Sequence, residues 1–562
     1  MSFLSKIKKV FLKFWWLPIL LALIPSFSRL IHKGFFPTQD YIYVARIYQM
    51  DKSLTDGQFP VRWVPDFRYG EPLFNFYAPL PYYVGSLVHK LGIGFLDTAK
   101  VLYGLGFILS FFAMYFLGKE LWGKTGGLIS AFTYLYAPYR ALDVYVRGDL
   151  SESWVFIFFP LIFLGAYKLA KNVNGKNIAL LALSLAGLFY THNVMTMLIA
   201  PFFIFWVIYL VIKEKKLKLI YPLFATSLLG IGVAASFLLP AFFEKSFIQV
   251  EHLTGGYFDF RAHFVEIKQF FSTFWGYGAS TWLGEDGMSF QLGTVQWLLL
   301  GITVLLIVVK GKKMIKDKTV YLPGVLLLLF FISLFLQHNK STFIWLNIPI
   351  LQFVQFPWRF MAISTFFAAV ISGSIAYFLP KVKYFALTIL VIFLITVNYN
   401  YFRFESYYDD SVDAHYISDE TLSKDDRLPK DYLPVWVKVR KAEKMITPAS
   451  ESGKAAIANY SARSDSATFD LSVEENAVIQ VPITYFPGWT VKLNGEKAEF
   501  KEPSELGLIK FSASVGEYSV VVSFDNTPLR TAGNIISAVS LIVIISFIRG
   551  YKFMGYKPYN RT

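Results

Sequence analysis

The stretch of residues 37–83 reads PTQDY at 37–41, QFPVRW at 58–63 and GEPLFNFYAPLPYY at 70–83. It follows directly on the first long apolar run and is dense in carboxylates, arginine, proline and aromatic residues. A membrane protein turns round with a short loop, so a long loop of this composition is a candidate functional site. Asp40, just past the apolar run, is the first candidate for a catalytic carboxylate.

The composition is that of a membrane protein. Of 562 residues, 55% are hydrophobic and 17% charged, and the mean hydropathy is +0.46; soluble chains carry about 25% charged residues. Apolar runs of roughly 17 to 22 residues match the thickness of a bilayer core. The sequence has no cysteine, which excludes disulfides, thiolate metal sites and cysteine nucleophiles. We therefore expect a polytopic α-helical membrane protein.

The charges between the apolar runs predict the topology. One set of connecting segments holds 24 basic and three acidic residues, and the rest of the chain holds 30 basic and 36 acidic residues. The positive-inside rule places the first set and the N-terminus in the cytoplasm, with the protein in the cell (plasma) membrane. The net charge of +15 thus reflects topology, and we expect no nucleic-acid partner. About twelve spans are predicted, at residues 14–30, 98–118, 125–141, 152–170, 177–191, 194–212, 219–240, 292–309, 319–337, 359–379, 384–399 and 531–548.

Residues 1–399 form the predicted transmembrane domain. One apolar segment, residues 80–95, is assigned to the outer face as an interfacial or re-entrant helix, because counting it as a span would place the later lysine clusters outside. The large outer loops of this domain are then residues 31–97, 142–151, 242–291 and 338–358.

The rest of the chain has a different pattern. Residues 400–465 are charged and predict a loop-rich extracytoplasmic connection. In residues 466–530 apolar positions alternate with polar ones, the period of β-strands, and Asn494-Gly495 is typical of a tight hairpin turn. They predict an extracytoplasmic β-sandwich domain, followed in residues 531–562 by a last transmembrane anchor and a cytoplasmic tail.

Asp40 has two interpretations. Sugar transfer from a lipid phosphate needs a carboxylate that deprotonates the acceptor or holds a divalent metal, and a residue just past a span lies at headgroup level. Alternatively, Asp40 is the N-cap of a helix that begins at Tyr41. The sequence favours neither.

The second outer loop contributes Arg147, Asp149 and Glu152. The planar guanidinium of arginine suits a phosphate, and neighbouring carboxylates suit a metal or an acceptor. The alternative is a capped helix start, with Asp149 as N-cap and Glu152 in the first turn. Both can hold together, and Glu152 gains weight because an ionisable group that opens a span is costly unless it is used or paired.

His192 and Arg359 lie at the same predicted membrane level. His192, between two spans, can orient a carboxylate or contact a phosphate, although a lone histidine is more often structural. Arg359 either neutralises a lipid phosphate or belongs to an interfacial aromatic belt. No Walker loop, dinucleotide fingerprint or His-Glu-x-x-His zinc motif is present.

Several of these runs resemble a known family. QFPVRW at 58–63, GEPLFNFYAPLPYY at 70–83, YVRG at 145–148, THN at 191–193 and FPWR at 356–359 are similar to the bacterial membrane proteins called 6-pyruvoyl-tetrahydropterin synthase-related. The sequence has no visible pterin-synthase zinc site, so we do not expect that activity.

The architecture also resembles the GT-C glycosyltransferases, such as oligosaccharyltransferase catalytic subunits and mannosyl- or arabinosyltransferases. The resemblance implies a polyprenyl-phosphate sugar donor, a first-loop acid matched by Asp40, and second-loop acids matched by Asp149 and Glu152. Gln39 stands where these enzymes usually pair two acids, which leaves metal dependence open. YFPGWTV at 485–491 resembles the C-terminal domains of YfhO-type membrane proteins, which are proposed glycosyltransferases.

The sequence and the resemblance together predict an integral membrane glycosyltransferase whose active site faces outward. Its donor is a polyprenyl-phosphate sugar in the membrane lipid, and its acceptor is a cell-envelope glycan or a surface protein. A divalent metal, Mg²⁺ or Mn²⁺, is the one candidate cofactor, and the sequence leaves open whether the reaction uses it. The assigned roles are Asp40 as base or metal ligand, Asp149 and Glu152 as acceptor or metal ligands, and Arg147, Arg359 and His192 as phosphate-binding groups.

Two other classes of function remain open from the sequence. A transporter or flippase of lipid-linked saccharides would place ionisable groups in the middle of spans, whereas here they lie at span ends. A non-catalytic scaffold would present the β-domain to a partner, and its acidic residues would all be helix caps.

Overall fold

The protein is described here from a computed structural model, which covers residues 17–250, 254–282, 285–316, 320–418, 420–424, 432–439 and 444–550. The start of the predicted span 14–30 and most of the predicted cytoplasmic tail lie outside these residues. The helices are α1 Leu17–Leu21, α2 Tyr43–Thr55, α3 Leu73–Phe76, α4 Leu80–His89, α5 Phe95–Leu135, α6 Pro138–Leu142, α7 Leu150–Lys171, α8 Gly175–Phe189, α9 Asn193–Glu214, α10 Ile220–Val233, α11 Ala235–Phe243, α12 Ile267–Phe271, α13 Thr294–Lys316, α14 Tyr321–Phe335, α15 Thr342–Asn347, α16 Phe360–Ser372, α17 Ser374–Phe378, α18 Lys383–Asn398, α19 Asp413–Ile417 and α20 Pro528–Ile548.

Most of the predicted spans form helices in the structure. Among the described residues, seven helices are long and apolar enough to cross a membrane, and two bent pairs bring the number to nine if each is one span. The pairs are Leu217–Val233 with Ala235–Phe243, bent by 75°, and Tyr321–Phe335 with Asn339–Asn347, bent by 90°. The seven are Phe95–Leu135, Leu150–Lys171, Asn193–Glu214, Thr294–Gly311, Pro357–Phe378, Lys383–Tyr401 and Pro528–Ile548.

Helix α5 turns back on itself at Gly123, where φ is +80°. The ring centroids of Phe111 and Phe132 are 4.9 Å apart, whereas 21 residues of continuous helix would separate them by about 31 Å. A Cβ on Gly118 would lie 2.9 Å from the Cα of Gly127, so small residues let the two arms pack closely. The break between the predicted spans 98–118 and 125–141 is therefore present.

Helix α4 covers ten residues of segment 80–95, which is predicted to lie at the outer face and not to span the membrane. Ten helical residues extend only about 15 Å, which is half of a bilayer core. The segment therefore does not cross the membrane as a helix, as its assignment to one face requires.

The C-terminal region consists of two antiparallel sheets, with strand orders β1-β4-β8-β7 and β2-β3-β9-β5-β6. Side chains of both sheets, such as Ile479 and Phe511 of one and Leu471 and Val522 of the other, belong to one hydrophobic core. The strands are β1 Ala449–Ser452, β2 Ala455–Ala462, β3 Ser466–Val473, β4 Ala477–Thr484, β5 Trp489–Leu493, β6 Glu496–Lys497, β7 Phe500–Lys501, β8 Leu508–Ala513 and β9 Gly516–Phe524.

Two details of this region bear on the sequence predictions. Lys492 pairs with Lys497 across a turn in which Asn494 and Gly495 have φ of +51° and +88°, so the predicted hairpin is confirmed. The strands begin at Ala449, which corrects the start of the β-region. β1 and β2 lie inside the segment that is predicted to be loop-rich. Their residues are mostly small and exposed, so the period-two pattern is weak.

The first loop and the β-region are packed against each other. The indole rings of Trp63 and Trp489 meet edge to face at 5.3 Å, and the Thr484 N–H donates to the Tyr69 carbonyl at 2.9 Å. Below this contact, Arg530 of α20 donates from Nε and Nη2 to the Glu244 carboxylate at 3.0 and 2.9 Å. Both side chains are buried, so a paired charge ties the last helix to the rest of the bundle.

Candidate functional site

The backbone joins the first loop to the segment that follows α6. The Gln39 N–H donates to the Val146 carbonyl at 3.0 Å, and the Asp40 N–H donates to the Arg147 carbonyl at 2.7 Å. These two bonds place Asp40 directly beside Arg147. The structure thus brings together two candidates that are more than a hundred positions apart in the sequence.

Gly148 makes this junction possible. Its φ is +67°, which disfavours residues with a side chain, and its carbonyl accepts a hydrogen bond from the Tyr103 hydroxyl at 2.7 Å. A Cβ at this position would lie 2.4 Å from the Thr38 Oγ1 and 2.7 Å from the Asp40 carbonyl oxygen. Only glycine therefore fits between the two segments.

The Asp40 carboxylate does not cap a helix. Helix α2 begins at Tyr43 with Ile42 as its N-cap, and Asp40 Oδ1 instead accepts the Ile42 N–H at 3.1 Å in a local turn. The other oxygen, Oδ2, lies 3.5 Å from Arg46 Nη1, and 35% of the side chain remains exposed. Asp40 is thus held in place on one side and accessible on the other.

The pKa of Asp40 is raised above its usual value. The main cause is desolvation by the surrounding protein, and the Asp149 carboxylate adds to it. The Arg46 guanidinium acts in the opposite direction and lowers the pKa. A raised pKa makes the carboxylate a stronger base once it is ionised.

The second candidate segment is a buried turn. Asp143–Arg147 forms one wide helical turn after α6, and all five of its side chains are buried. Within the predicted outer loop 142–151, the charged side chains are thus inside the protein, where they pair with one another.

Arg147 is the centre of these pairs. Its Nη1 atom contacts Asp143 Oδ1 and lies 3.0 Å from Glu152 Oε2, and its Nη2 atom donates to Asp149 Oδ2 at 3.1 Å. The guanidinium carbon lies 4.5 Å from the ring centroid of Trp358, a cation–π distance. One arginine therefore holds three carboxylates.

Glu152 is fully buried and completely engaged. Its Oε1 accepts the Tyr139 hydroxyl at 2.6 Å, and its Oε2 accepts Arg359 Nε at 3.3 Å as well as pairing with Arg147. Arg359 also donates from Nη1 to the Val354 carbonyl at 2.9 Å. Among the described residues, the hydrogen bonds of Arg359 use Nε and Nη1, so Nη2 remains for a ligand.

Asp149 and His192 are both N-caps. Asp149 Oδ1 accepts the Glu152 N–H at 2.8 Å at the start of α7, and His192 Nδ1 accepts the Met195 N–H at 3.3 Å at the start of α9. The pKa of Asp149 is lowered: burial alone would raise it, but Arg147, His192, Arg359 and the hydrogen bond from the Glu152 N–H together outweigh that effect. Burial lowers the pKa of His192 to about 4, so the imidazole is neutral at pH 7. The capping alternative is thus true of Asp149, and it does not remove Asp149 from the cluster.

Asp149, Glu152 and His192 form the group of described residues that can hold a metal. One ligand atom from each lies within 4.8 Å of the other two. A neutral imidazole with two carboxylates suits Mn²⁺ better than Mg²⁺, which prefers oxygen alone. Asp40 is outside this group of three. A metal would have to share Glu152 with Arg147 and Arg359, because both oxygens of Glu152 already have partners. The donor set of one imidazole and two carboxylates fits the ion.

Sequence reasoning missed two members of the cluster. Arg46 and Tyr139 carry no motif, and their contacts with Asp40 and Glu152 follow only from the fold. Asp143, a third acid of the second outer loop, pairs with Arg147, and its Oδ2 is buried without a hydrogen-bond partner among the described residues. The cluster therefore contains four carboxyl groups, those of Asp40, Asp143, Asp149 and Glu152, and three guanidinium groups, those of Arg46, Arg147 and Arg359.

The chain belongs to the family of membrane proteins with a 6-pyruvoyl-tetrahydropterin synthase related domain, whose pattern matches residues 74–404. The match includes Arg147, Asp149, Glu152, His192 and Arg359, and it begins after Asp40. The predicted family is therefore confirmed, and the chain is a multi-pass membrane protein.

Individual relatives are distant. An uncharacterized protein of Lactococcus lactis subsp. cremoris (strain MG1363) is 24% identical over 233 residues, which is 39% of this chain and 37% of that protein. The mycobacterial arabinofuranosyltransferase AftD is 14% identical, with a TM-score of 0.41 over 68% of this chain and 26% of that one. The Archaeoglobus fulgidus oligosaccharyltransferase is 12% identical, with a TM-score of 0.41 over 77% of this chain and 62% of that one. Scores this low do not assign a function.

Replacing Gly148 by alanine is expected to separate the two halves of the site. The left-handed backbone and the clash with Thr38 should lower the free energy of unfolding by about 2 kcal/mol or more. Gly104→Ala is the matched control, because a Cβ there meets nothing within 4 Å in helix α5. Thermal unfolding of the two purified variants in detergent tests this. Equal melting temperatures for Gly148→Ala and the wild type would contradict the proposed junction.

Proposed function

We propose that the protein is an integral membrane glycosyltransferase in which Asp40 is the catalytic base. The observation that carries this proposal is the position of Asp40. Its partly exposed carboxylate is fixed beside a buried cluster of acids and arginines at one end of the helix bundle. A base with a raised pKa next to cationic groups suits a reaction that removes a proton from one substrate and releases an anion from the other.

The reaction would run as a direct displacement. Asp40 takes the proton of an acceptor hydroxyl, and the acceptor oxygen forms a bond to the anomeric carbon of the donor sugar. The bond between that carbon and the phosphate oxygen breaks, and the electron pair leaves with the lipid phosphate. Arg359, through its Nη2 atom, and Arg147 are the groups placed to stabilise this developing negative charge.

The donor is proposed to be a polyprenyl-phosphate sugar. The asymmetry of basic residues between the loops supports an outward-facing site. Nucleotide sugars are not available on that side, so a lipid-linked donor within the membrane supplies the sugar. An envelope glycan or a surface protein is the corresponding acceptor, and the β-region lies at the same end of the molecule as Asp40.

A divalent ion is proposed at Asp149, Glu152 and His192, where it would add positive charge for the leaving phosphate. The ion does not need Asp40 as a ligand. Asp40 is then free to act on the acceptor, which differs from the alternative role of metal ligand considered from the sequence.

Transfer of labelled sugar from a panel of polyprenyl-phosphate donors to envelope acceptors tests the function. The wild-type protein in lipid should transfer sugar, and Asp40→Asn should lower the rate by about 100-fold or more, since the general base is lost. Asp97→Asn, which removes an acid whose side chain is 68% exposed, is the control and should keep the wild-type rate. Full activity of Asp40→Asn would rule out this role for Asp40.

The pH dependence of transfer tests the electrostatics of the base. The transfer rate should fall as the pH is lowered and Asp40 becomes protonated. Because the pKa of Asp40 is raised, this fall should occur at a higher pH than the usual pKa of a carboxyl group. Arg46 lowers that pKa, so Arg46→Gln should move the acid limb to higher pH by about 1 unit. Lys52→Gln, on the same helix but paired with Asp66, should leave the limb in place. An unchanged or lower limb in Arg46→Gln would refute the assignment.

Titration of Mn²⁺ into the purified protein tests the metal site. Asp149→Asn and His192→Gln should each weaken binding by about tenfold or more, because each removes one of three donors. Asp40→Asn should keep the wild-type affinity, since Asp40 is not one of the donors. Loss of binding in Asp40→Asn alone would instead make Asp40 the metal ligand.

A further inference from the structure

An open cleft of about 580 Å³ lies outside the acidic cluster. It is formed by the segment that follows α18, and five of its seven lining residues are exposed, all except Tyr407 and Ser411. The complete lining is Tyr407, Tyr408, Asp409, Asp410, Ser411, Val412 and His415. None of these residues has a part in the reaction described above.

The wall of this cleft is fixed to the first loop. Tyr408 and Phe35 exchange backbone hydrogen bonds of 3.0 and 2.7 Å, and a Cβ on Gly34 would lie 2.2 Å from the Tyr408 carbonyl oxygen. At the other end, Asp413 accepts the backbone N–H groups of Phe95 and Leu96 at 2.8 and 2.9 Å. The cleft is therefore held at both ends.

The attachment to Phe35 also sets the distance to the proposed base. Asp40 comes five positions after Phe35, so the two Cα atoms are at most about 18 Å apart. A chain of a few sugar units covers such a distance. An acceptor whose end reaches Asp40 can thus extend into the cleft.

The lining has the chemistry of a saccharide site. Tyrosine rings offer apolar faces for the C–H surfaces of sugars, and carboxylates accept hydrogen bonds from hydroxyl groups. Tyr407 packs against His32 with ring centroids 4.1 Å apart, and this contact holds the tyrosine ring in the wall of the cleft.

The charge of the lining limits the kind of saccharide. Asp409 and Asp410 are both exposed carboxylates, and neither lysine nor arginine lines the cleft. An anionic glycan would meet two like charges, whereas a neutral or amino-bearing glycan would not.

We propose that the cleft formed by Tyr407, Tyr408, Asp409 and Asp410 binds neutral or amino-bearing units of a saccharide acceptor at a distance from the reacting end. The acceptor role rests on the proposed transferase function. Binding of the saccharide itself is independent of that function and can be measured without a donor.

The experiment uses the labelled full-length protein in nanodiscs on a printed array of neutral, amino-bearing and anionic glycans. We expect neutral or amino-bearing glycans to be retained. Tyr408→Ala and the double variant Asp409→Asn/Asp410→Asn should each raise the apparent Kd for the glycan by about tenfold. Glu405→Gln, which removes a nearby exposed carboxylate outside the lining, should bind as the wild type does.

The outcomes separate the two proposals. Glycan binding that depends on the cleft residues supports the cleft, and if the wild type then transfers no sugar from any donor, only the transferase function fails. Retention of anionic glycans alone, retention that the cleft variants leave unchanged, or no retention of any glycan overturns the cleft, whatever the transfer assay shows.

Discussion

The buried guanidinium of Arg147 is the interaction on which the site depends. It compensates the charges of Asp143, Asp149 and Glu152, three carboxylates that burial would otherwise make very costly. Its own carbonyl accepts the N–H of Asp40, so the same residue fixes the first loop to the second segment. Removing such a partner costs about 3–5 kcal/mol, because it leaves buried charges uncompensated.

A second buried ion pair, between Glu244 and Arg530, joins the first loop, the last helix and the β-region. Glu244 accepts hydrogen bonds from Arg530, from Asn75 of the first loop and from Thr527, the N-cap of α20. Arg530 also donates to the Pro487 carbonyl in the β-region. The first loop therefore contacts the segment after α6, Glu244 at the end of α11, and the β-region. These contacts, as well as Asp40, explain its length.

Much of the fold could be predicted from the sequence, because apolar runs of bilayer length and period-two strands are local patterns. The break at Gly123 and the hairpin at Asn494 follow from such patterns. The strands from Ala449 were missed, since their exposed residues do not alternate clearly. In the site, Asp149 and Glu152 were found from their position at a span start, whereas the contact of Asp40 with Arg46 depends on tertiary packing and has no sequence signal.

The central claim is that Asp40 and the Arg147 cluster form one site for a lipid-linked sugar and its acceptor. A cryo-EM structure in nanodiscs with a non-transferable polyprenyl-phosphate sugar tests it most directly. The account predicts the phosphate against Arg359 and Arg147, with the anomeric carbon facing the open side of Asp40. A donor analogue bound elsewhere, or a phosphate separated from Asp40 by the wall of the bundle, would contradict it.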